Sequence, residues 1–397
     1  MKAPNAAIGQ GGRIFIFGFL SAITPLSIDI YLPALPTLQK AFAADEAQTL
    51  YTLSAFFIGF GGGQLLFGPL LDRFGRKRPL LVGLAVYIAA SVGCALAPSI
   101  SMLVVWRFAQ ALGGSIVPIA VQAMVRDLYA RNESARILSL NLLVIASAPI
   151  IAPLIGGQIL LWLDWRFIFW VLVGFGALAV VAALALPETL AAGRRGNAHP
   201  LALLLGYVAL LRNTRYLGYV ACSTSYFCCL FAFLAGSPFV YIEYFRVPVQ
   251  FYGFLFGVNM VGMIAVSFVN SRIVMRRGAD PLLRSACIIG AVAGVVLLAT
   301  GVSGFAGLPG IAVPLFVTLA LLTVVSSNAV SGALAAAPNA GAAAALAGAL
   351  QFGGAALTSA ATGWIADGTP RPMTAIICAG AVLSLAANLV LLRKKRD

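Results

Sequence analysis

Between Arg284 and Asp367 the chain carries no charged residue. A soluble domain cannot present such a stretch to water, and it is far too long for one membrane crossing of roughly 20 residues. Gly/Pro breaks at 301–310 and 338–341 divide it into three apolar segments. The rest of the chain repeats the pattern. Apolar runs at 14–36, 48–70, 79–97, 101–125, 136–161, 166–186, 216–241, 250–271, 282–301, 310–335, 343–366 and 371–392 each have the length of a bilayer-spanning helix. The expected fold class is all-α, a polytopic membrane protein of twelve transmembrane helices. Only 10% of the residues are charged, against about 25% in soluble domains, so most of the surface must face lipid. The first run carries Asp29, Pro33 and Pro36 without a small-residue cleavage site, so it reads as a span and not as a removable signal.

The formal charge of +14 would suit nucleic acid if the basic residues formed one groove. They sit instead in short clusters between apolar runs, so the expected partner is the lipid bilayer and not nucleic acid. With both termini cytoplasmic, the inner segments hold 21 Lys and Arg residues and the outer loops hold four, Lys40, Arg166, Arg246 and Arg371. This is the positive-inside pattern. An odd number of spans would put the RKKRD tail outside. Trp162 and Trp165, beside an outer loop, read as interface anchors.

The longest polar interruption, 187–215, lies near the midpoint. A shift of 199 residues sets GPLLDRFGRKR (68–78) on SFVNSRIVMRR (267–277), so that Arg73 meets Arg272, Lys77 meets Arg276 and Arg78 meets Arg277. The expected organisation is two six-helix bundles. The N-terminal bundle covers 1–186, a cytoplasmic linker covers 187–215, and the C-terminal bundle covers 216–397 with a short basic cytoplasmic tail. A site at midplane between parallel halves follows from such a repeat.

No phosphate-binding G-x-x-x-x-G-K-[ST] loop, nucleophile elbow, H-E-x-x-H or Rossmann fingerprint occurs, so neither ATP hydrolysis nor another enzyme activity is expected. The six cysteines, Cys94, Cys222, Cys228, Cys229, Cys287 and Cys378, all lie in apolar runs and read as packing residues. The single histidine, His199, sits in the linker. No metal or cofactor is expected.

Two charges lie well inside spans: Asp29 in the first and Arg107 in the fourth. A charge in the bilayer core costs at least about 2.5–3.5 kcal/mol, so it lines a cavity or finds a partner. Counted from the outer helix ends, both lie roughly 10 Å deep, and both are expected to face one central cavity. A structural ion pair is the plainer alternative. In the functional alternative, Asp29 takes up and releases a proton while Arg107, always charged, tunes it.

In GPLLDRFGRKR, Gly68 and Gly75 permit close approach and a tight turn. Asp72 can cap or pair with an arginine, and Arg73, Arg76, Lys77 and Arg78 anchor the loop. Span five contains SAPIIAPLIGG, where Pro149 and Pro153 each remove a helix hydrogen bond and Gly156 and Gly157 admit a neighbouring helix. Tyr31, Gln110, Asn141, Tyr226, Asn259, Asn328 and Gln351 are candidates to line a substrate cavity, although each alone suits an interhelical hydrogen bond or an interface position better.

These motifs together resemble the major facilitator superfamily. GPLLDRFGRKR resembles its loop motif between spans two and three. RFAQALGG (107–114) resembles the span-four motif, with Ala111 where Gly is usual. APLIGG (152–157) resembles the span-five antiporter motif, with Ala152 in place of Gly. SIDIYLPALP, FGRKRP, RDLYARNE, APLIGG, RFIFW, PETL, SPFVYIE, NSRIVMR and SSNAV follow one another as in the bicyclomycin/chloramphenicol-resistance (Bcr/CflA) branch. The resemblance implies a proton-coupled multidrug exporter of the bacterial inner membrane, with Asp29 and Arg107 as the proton-coupling pair. Near Ser21 there is no second acid, which favours neutral amphipathic drugs. It also implies a small-molecule drug and protons as partners, and a monomer, since the two-half design needs only one chain. Alternatives are export of an endogenous metabolite, a channel, and a non-transporting receptor or assembly subunit.

Overall fold

The computed structural model describes residues 9–190 and 200–392. His199, Arg194, Arg195 and the basic tail from 393 onward lie outside the described residues. Among the described residues there are twelve helical segments long and apolar enough to cross a membrane.

The first span, Gln10–Ala41, is broken. It consists of α1 (Gln10–Ser21), α2 (Ile23–Asp29), a 3-10 turn at Leu32–Ala34 and α3 (Leu35–Ala41). Pro25, Pro33 and Pro36 lack the N–H that a continuous helix requires, and α2 stops on Asp29 itself. Then follow α4 (Glu46–Phe74), α5 (Lys77–Ala95), α6 (Ile100–Leu128), α7 (Arg131–Trp162) and α8 (Arg166–Ala185). Helix α9 (Pro200–Arg212) forms within the stretch expected to be linker. The second set of spans is α10 (Thr214–Pro238), continued by a π-helical turn at Phe239–Tyr244, then α11 (Val249–Arg277), α12 (Ala279–Ser303), α13 (Gly307–Ala335), α14 (Ala340–Trp364) and α15 (Arg371–Leu391). The start of α4 is capped locally. Asp45 accepts from the Gln48 N–H at 2.7 Å while the Gln48 side chain accepts from the Asp45 N–H at 3.1 Å.

At 13 residues, α9 is too short to span, and it packs on α10 and α14. Leucine-rich PLALLLGYVALLR has the propensity for a helix.

In the N-terminal bundle, α4 and α5 pack on α6, α5 on α8, and the first span on α7. In the C-terminal bundle, α10 packs on α13, α14 and α15, α12 on α13 and α15, and α11 on α13. The bundles meet along two seams, α4 on α14 and α7 on α11. One end of the molecule carries the loop at 75–76, the α6–α7 turn and residues 186–190, and is called the basic end here. The other carries the turns at 42–45, 163–165, 245–248 and 365–370.

Without a hydrophobic drive between helices in lipid, close contact comes from small residues. A β-carbon on Gly59 of α4 would stand 2.5 Å from the Phe108 carbonyl oxygen and 3.2 Å from the Ala111 methyl of α6. Ala111 therefore fits because a glycine faces it. Trp162 is 83% exposed, but Trp165 is 1% exposed and packs on Phe42 with ring centres 5.4 Å apart. Trp165 is thus a core residue and not an interface anchor, because the turn before α8 folds inward over α3. The cysteines are unpaired as disulfides, and all but half-buried Cys228 are buried.

Gly59→Val forces α4 and α6 apart. Its expected cost is about 1–3 kcal/mol, read as a lowered Tm of detergent-purified protein. An unchanged Tm would contradict the close approach.

Candidate functional site

Arg107 is fully buried inside the N-terminal bundle. Its Nη1 donates to the Ser27 carbonyl oxygen at 3.1 Å and to Gln110 Oε1 at 2.7 Å. Gln110 Nε2 in turn donates to Ser91 Oγ at 2.8 Å. The guanidinium lies 4.3 Å from the Phe56 ring centre, 4.5 Å from that of Tyr31 and 6.0 Å from that of Phe169. Ring faces carry partial negative charge, so this cage offsets the cation without a carboxylate. Nε and Nη2 have no hydrogen-bond partner. Tyr31 is held in turn by its hydroxyl against Thr52 Oγ1 at 2.7 Å, and Tyr87 by its hydroxyl against Ser27 Oγ at 2.6 Å. Arg107 therefore braces α2 two residues before Asp29.

Asp29 is 4% exposed. Among the described residues it takes part in no ion pair, and Arg107 is not its partner; every ion pair found involves other groups. The plainer alternative, a structural ion pair between the two charges, is not found. Arg107 is committed to aromatic faces and to a backbone carbonyl within its own bundle. Asp29 ends α2, which packs on α6, α7 and α8, and stands three residues before a turn at the seam. A β-carbon on Gly156 of α7 would stand only 3.0 Å from the Ile30 carbonyl carbon and from Pro33. The turn at 32–34 touches α7 and also α10 and α11 of the other bundle. At the neighbouring Gly157, a β-carbon would stand 2.8 Å from the Val249 carbonyl oxygen, and one on Gly253 of α11 would meet Leu154. The paired glycines of span five thus let α7 touch the first span and the opposite bundle at once. Pro149 and Pro153 lie within the continuous helix α7.

At the basic end, Gly75 adopts φ +91°, and a β-carbon there would stand 2.5 Å from Glu188 Oε2. Only glycine suits both conditions. The Arg76 and Lys77 N–H groups donate to the Glu188 carboxylate at 2.9 and 3.2 Å. Arg76 pairs with Asp72 at 2.5 Å and Asp127 at 3.0 Å, and Thr189 Oγ1 donates to Asp127 at 2.9 Å. Burial works against the Arg76 charge, but Asp72 and Asp127 outweigh it and raise its pKa. Burial likewise opposes ionisation of Glu188, yet the N–H donors of Arg76, Leu190, Lys77 and Thr189 prevail and hold its carboxyl below the ordinary value. Lys77 Nζ donates to the Leu184 and Leu186 carbonyl oxygens at 2.6 and 2.7 Å, a cation at the negative end of α8. Arg73 lies over the Phe74 ring. Gly68 differs from expectation, since a β-carbon there would meet nothing within 4 Å; its face of α4 has no neighbour.

Among the described residues, the hydrogen bonds and ion pair between the bundles lie toward the opposite end. Lys40 Nζ stands 2.7 Å from Glu243 Oε1, Ser359 Oγ donates to the Leu50 carbonyl oxygen at 3.2 Å, and Trp364 Nε1 donates to the Tyr51 hydroxyl at 2.6 Å. Below them, aromatic rings close the seam. Phe57 and Phe231 have ring centres 4.7 Å apart, and Phe60 and Phe352 have centres 4.5 Å apart.

Three cavity candidates are enclosed in this state. Tyr31, Gln110 and Tyr226 are 0% exposed, and the Tyr226 hydroxyl donates to the Thr318 carbonyl oxygen at 2.8 Å. They brace bundle interiors. Asn328 Nδ2 donates to Asn270 Oδ1 at 3.1 Å, linking α13 to α11. Asn141 Nδ2 donates to Ser21 Oγ at 2.8 Å, and Asn259 Nδ2 donates to the Leu255 carbonyl oxygen at 3.0 Å. Both are buried, yet their Oδ1 atoms have no partner. Gln351 is half-buried, 3.4 Å from Ser223 Oγ.

Sequence reasoning assigned no role to Asp127, to Glu188, to Lys40 and Glu243 as a pair, or to the Phe57, Phe60, Phe231 and Phe352 rings. Asp127 and Glu188 do sit in the quoted strings RDLYARNE and PETL. The aromatic rings had no signal, since one dimension does not separate them from lipid-facing residues.

The family described as Major Facilitator Superfamily matches residues 17–359. The bicyclomycin resistance protein homolog of Haemophilus influenzae is 34% identical over 96% of this chain and 97% of its own length. The chloramphenicol resistance protein of Pseudomonas aeruginosa is 33% identical over 70% of this chain and 65% of its own length. The xylose transporter XylE from E. coli, in a partially occluded inward-open conformation, superposes with a TM-score of 0.74 at 15% identity, covering 94% of this chain and 96% of its own.

A depressed carboxyl stabilises the fold fully above its ordinary value of 4.5 and loses that contribution as pH falls through its folded value. The Tm difference between wild type and Glu188→Gln should therefore stay constant near neutrality and shrink below pH 4.5. A difference that grows on acidification would contradict the network.

Proposed function

The chain belongs to the Major Facilitator Superfamily, in its bicyclomycin/chloramphenicol-resistance branch, and from that premise we propose that it exchanges protons for neutral amphipathic drugs. It is a multi-pass bacterial membrane transporter. Two relatives are named for resistance to bicyclomycin and chloramphenicol, which supports cargo of that class. The observation that carries the reading is Asp29: a carboxylate without an ion-pair partner, 4% exposed, three residues before the turn that touches both bundles. A lone charge is costly in such surroundings, so a proton exchanged there is coupled to the environment that each arrangement of the bundles provides.

The bundles, 1–186 and 216–397, rock about the seam with 187–215 as linker. The basic end is cytoplasmic, as the charge distribution favours. The state described is closed outside by Lys40–Glu243, Tyr51–Trp364 and the aromatic rings. Asp29 is protonated from the acidic outer side in the opposite state. It releases the proton inward, and drug then binds between the bundles near Asn141, Asn259 and Gln351. Arg107 keeps α2 in place while Asp29 changes charge. One chain suffices for the cycle.

Two outcomes are expected. Asp29→Asn should express normally, yet drug uptake into inverted vesicles driven by an imposed pH gradient should fall to the level of empty membranes. Full pH-driven uptake by the variant would reject the proton assignment. A disulfide between cysteines introduced as Lys40→Cys and Glu243→Cys should stop transport, and reduction should restore it. Undiminished flux in the cross-linked protein would reject opening at that end.

A further inference from the structure

We infer that a groove between α4, α5 and α6 at the basic end binds one anionic phospholipid. The groove encloses about 390 Å³ and is walled by Leu70, Phe74, Val82 and Val86, with Gly83 and Gly113 on its lining and Arg78 at one end. Its existence has a packing cause. A β-carbon on Gly113 would stand 2.6 Å from the Gly83 carbonyl oxygen, so the two helices touch through bare backbone and no side chain fills the furrow above them. Its walls face outward, with Val82 64% and Phe74 48% exposed, and in this membrane protein outward means toward acyl chains.

The charge at its end is uncommitted. Of the four basic residues in 73–78, Arg76 is paired with Asp72 and Asp127, and Lys77 donates to the α8 carbonyls. Arg73 and Arg78 have no carboxylate within ion-pair distance among the described residues. Arg78 lines the groove, and Arg73 lies 5.3 Å from the ring centre of Phe74, itself a wall residue. A guanidinium lining the groove, with a second beside a wall ring, matches a phosphodiester above an acyl chain. A zwitterionic lipid adds an ammonium that the same pair repels, so an anionic headgroup is selected. The bound lipid rests on the helix ends that carry the Arg76 network. None of this depends on the direction of transport or on proton exchange.

The test is native mass spectrometry of the purified full chain with phosphatidylglycerol or phosphatidylcholine of matched acyl chains. One phosphatidylglycerol should be retained preferentially. Arg78→Gln should weaken that retention roughly fivefold. Val82→Trp, at an exposed position, should abolish it by filling the groove without changing charge. Arg277→Gln, an exposed arginine of the other bundle, should leave it intact. Equal retention of both lipids, or an Arg277→Gln loss matching that of Arg78→Gln, would overturn the site.

Discussion

An ionisable group in a membrane interior must be satisfied by protein, and the two such groups here are treated in opposite ways. Arg107 is enclosed by three aromatic faces, a backbone carbonyl and the Gln110 amide, all within one bundle. Asp29 has no ion-pair partner and precedes by three residues the turn where the bundles meet. A permanent charge can be a fixed part of a scaffold, because it never changes its demand. A group that gains and loses charge is useful only where its surroundings also change, and the inter-bundle seam is such a place.

The same division of labour runs along the long axis. At the basic end, contacts tie spans two, three, four and six to one another, through Gly75, Arg76, Lys77, Asp127 and Glu188. These stiffen one bundle. At the other end, Lys40, Tyr51 and Leu50 of the first bundle reach Glu243, Trp364 and Ser359 of the second. The Lys40–Glu243 pair is exposed, 71% on the lysine side, so it contributes little stability. A weak, solvent-facing latch is what a reversible closure requires. The π-helical turn at 239–244 sets Glu243 in that place, as such turns often do at functional positions.

Small residues carry the geometry that large ones cannot. Gly156 and Gly157 admit span one and α11 to the two sides of α7, Gly59 accommodates Ala111, and Gly83 with Gly113 bring α5 and α6 into backbone contact. Each follows from packing without a hydrophobic drive between helices in lipid. Where the resulting close approach leaves a furrow open to the bilayer, lipid is the natural filler.

The membrane class, the twelve crossings, the family and the two deep charges were legible in the chain, because length, apolarity and charge are local properties read residue by residue. The Gly75 turn was legible for the same reason, as was the basic cluster around it. The break after Asp29 was foreshadowed by Pro33 and Pro36, though its consequence was not. Only tertiary structure decided that Arg107 and Asp29 form no ion pair, that Tyr31, Gln110 and Tyr226 brace interiors, that Trp165 is core, and that Phe57, Phe60, Phe231 and Phe352 form one cluster. In a chain that is 61% hydrophobic, inward and lipid-facing residues have the same chemistry. Which helix face meets which neighbour depends on contacts between residues far apart in sequence, and no local pattern encodes those.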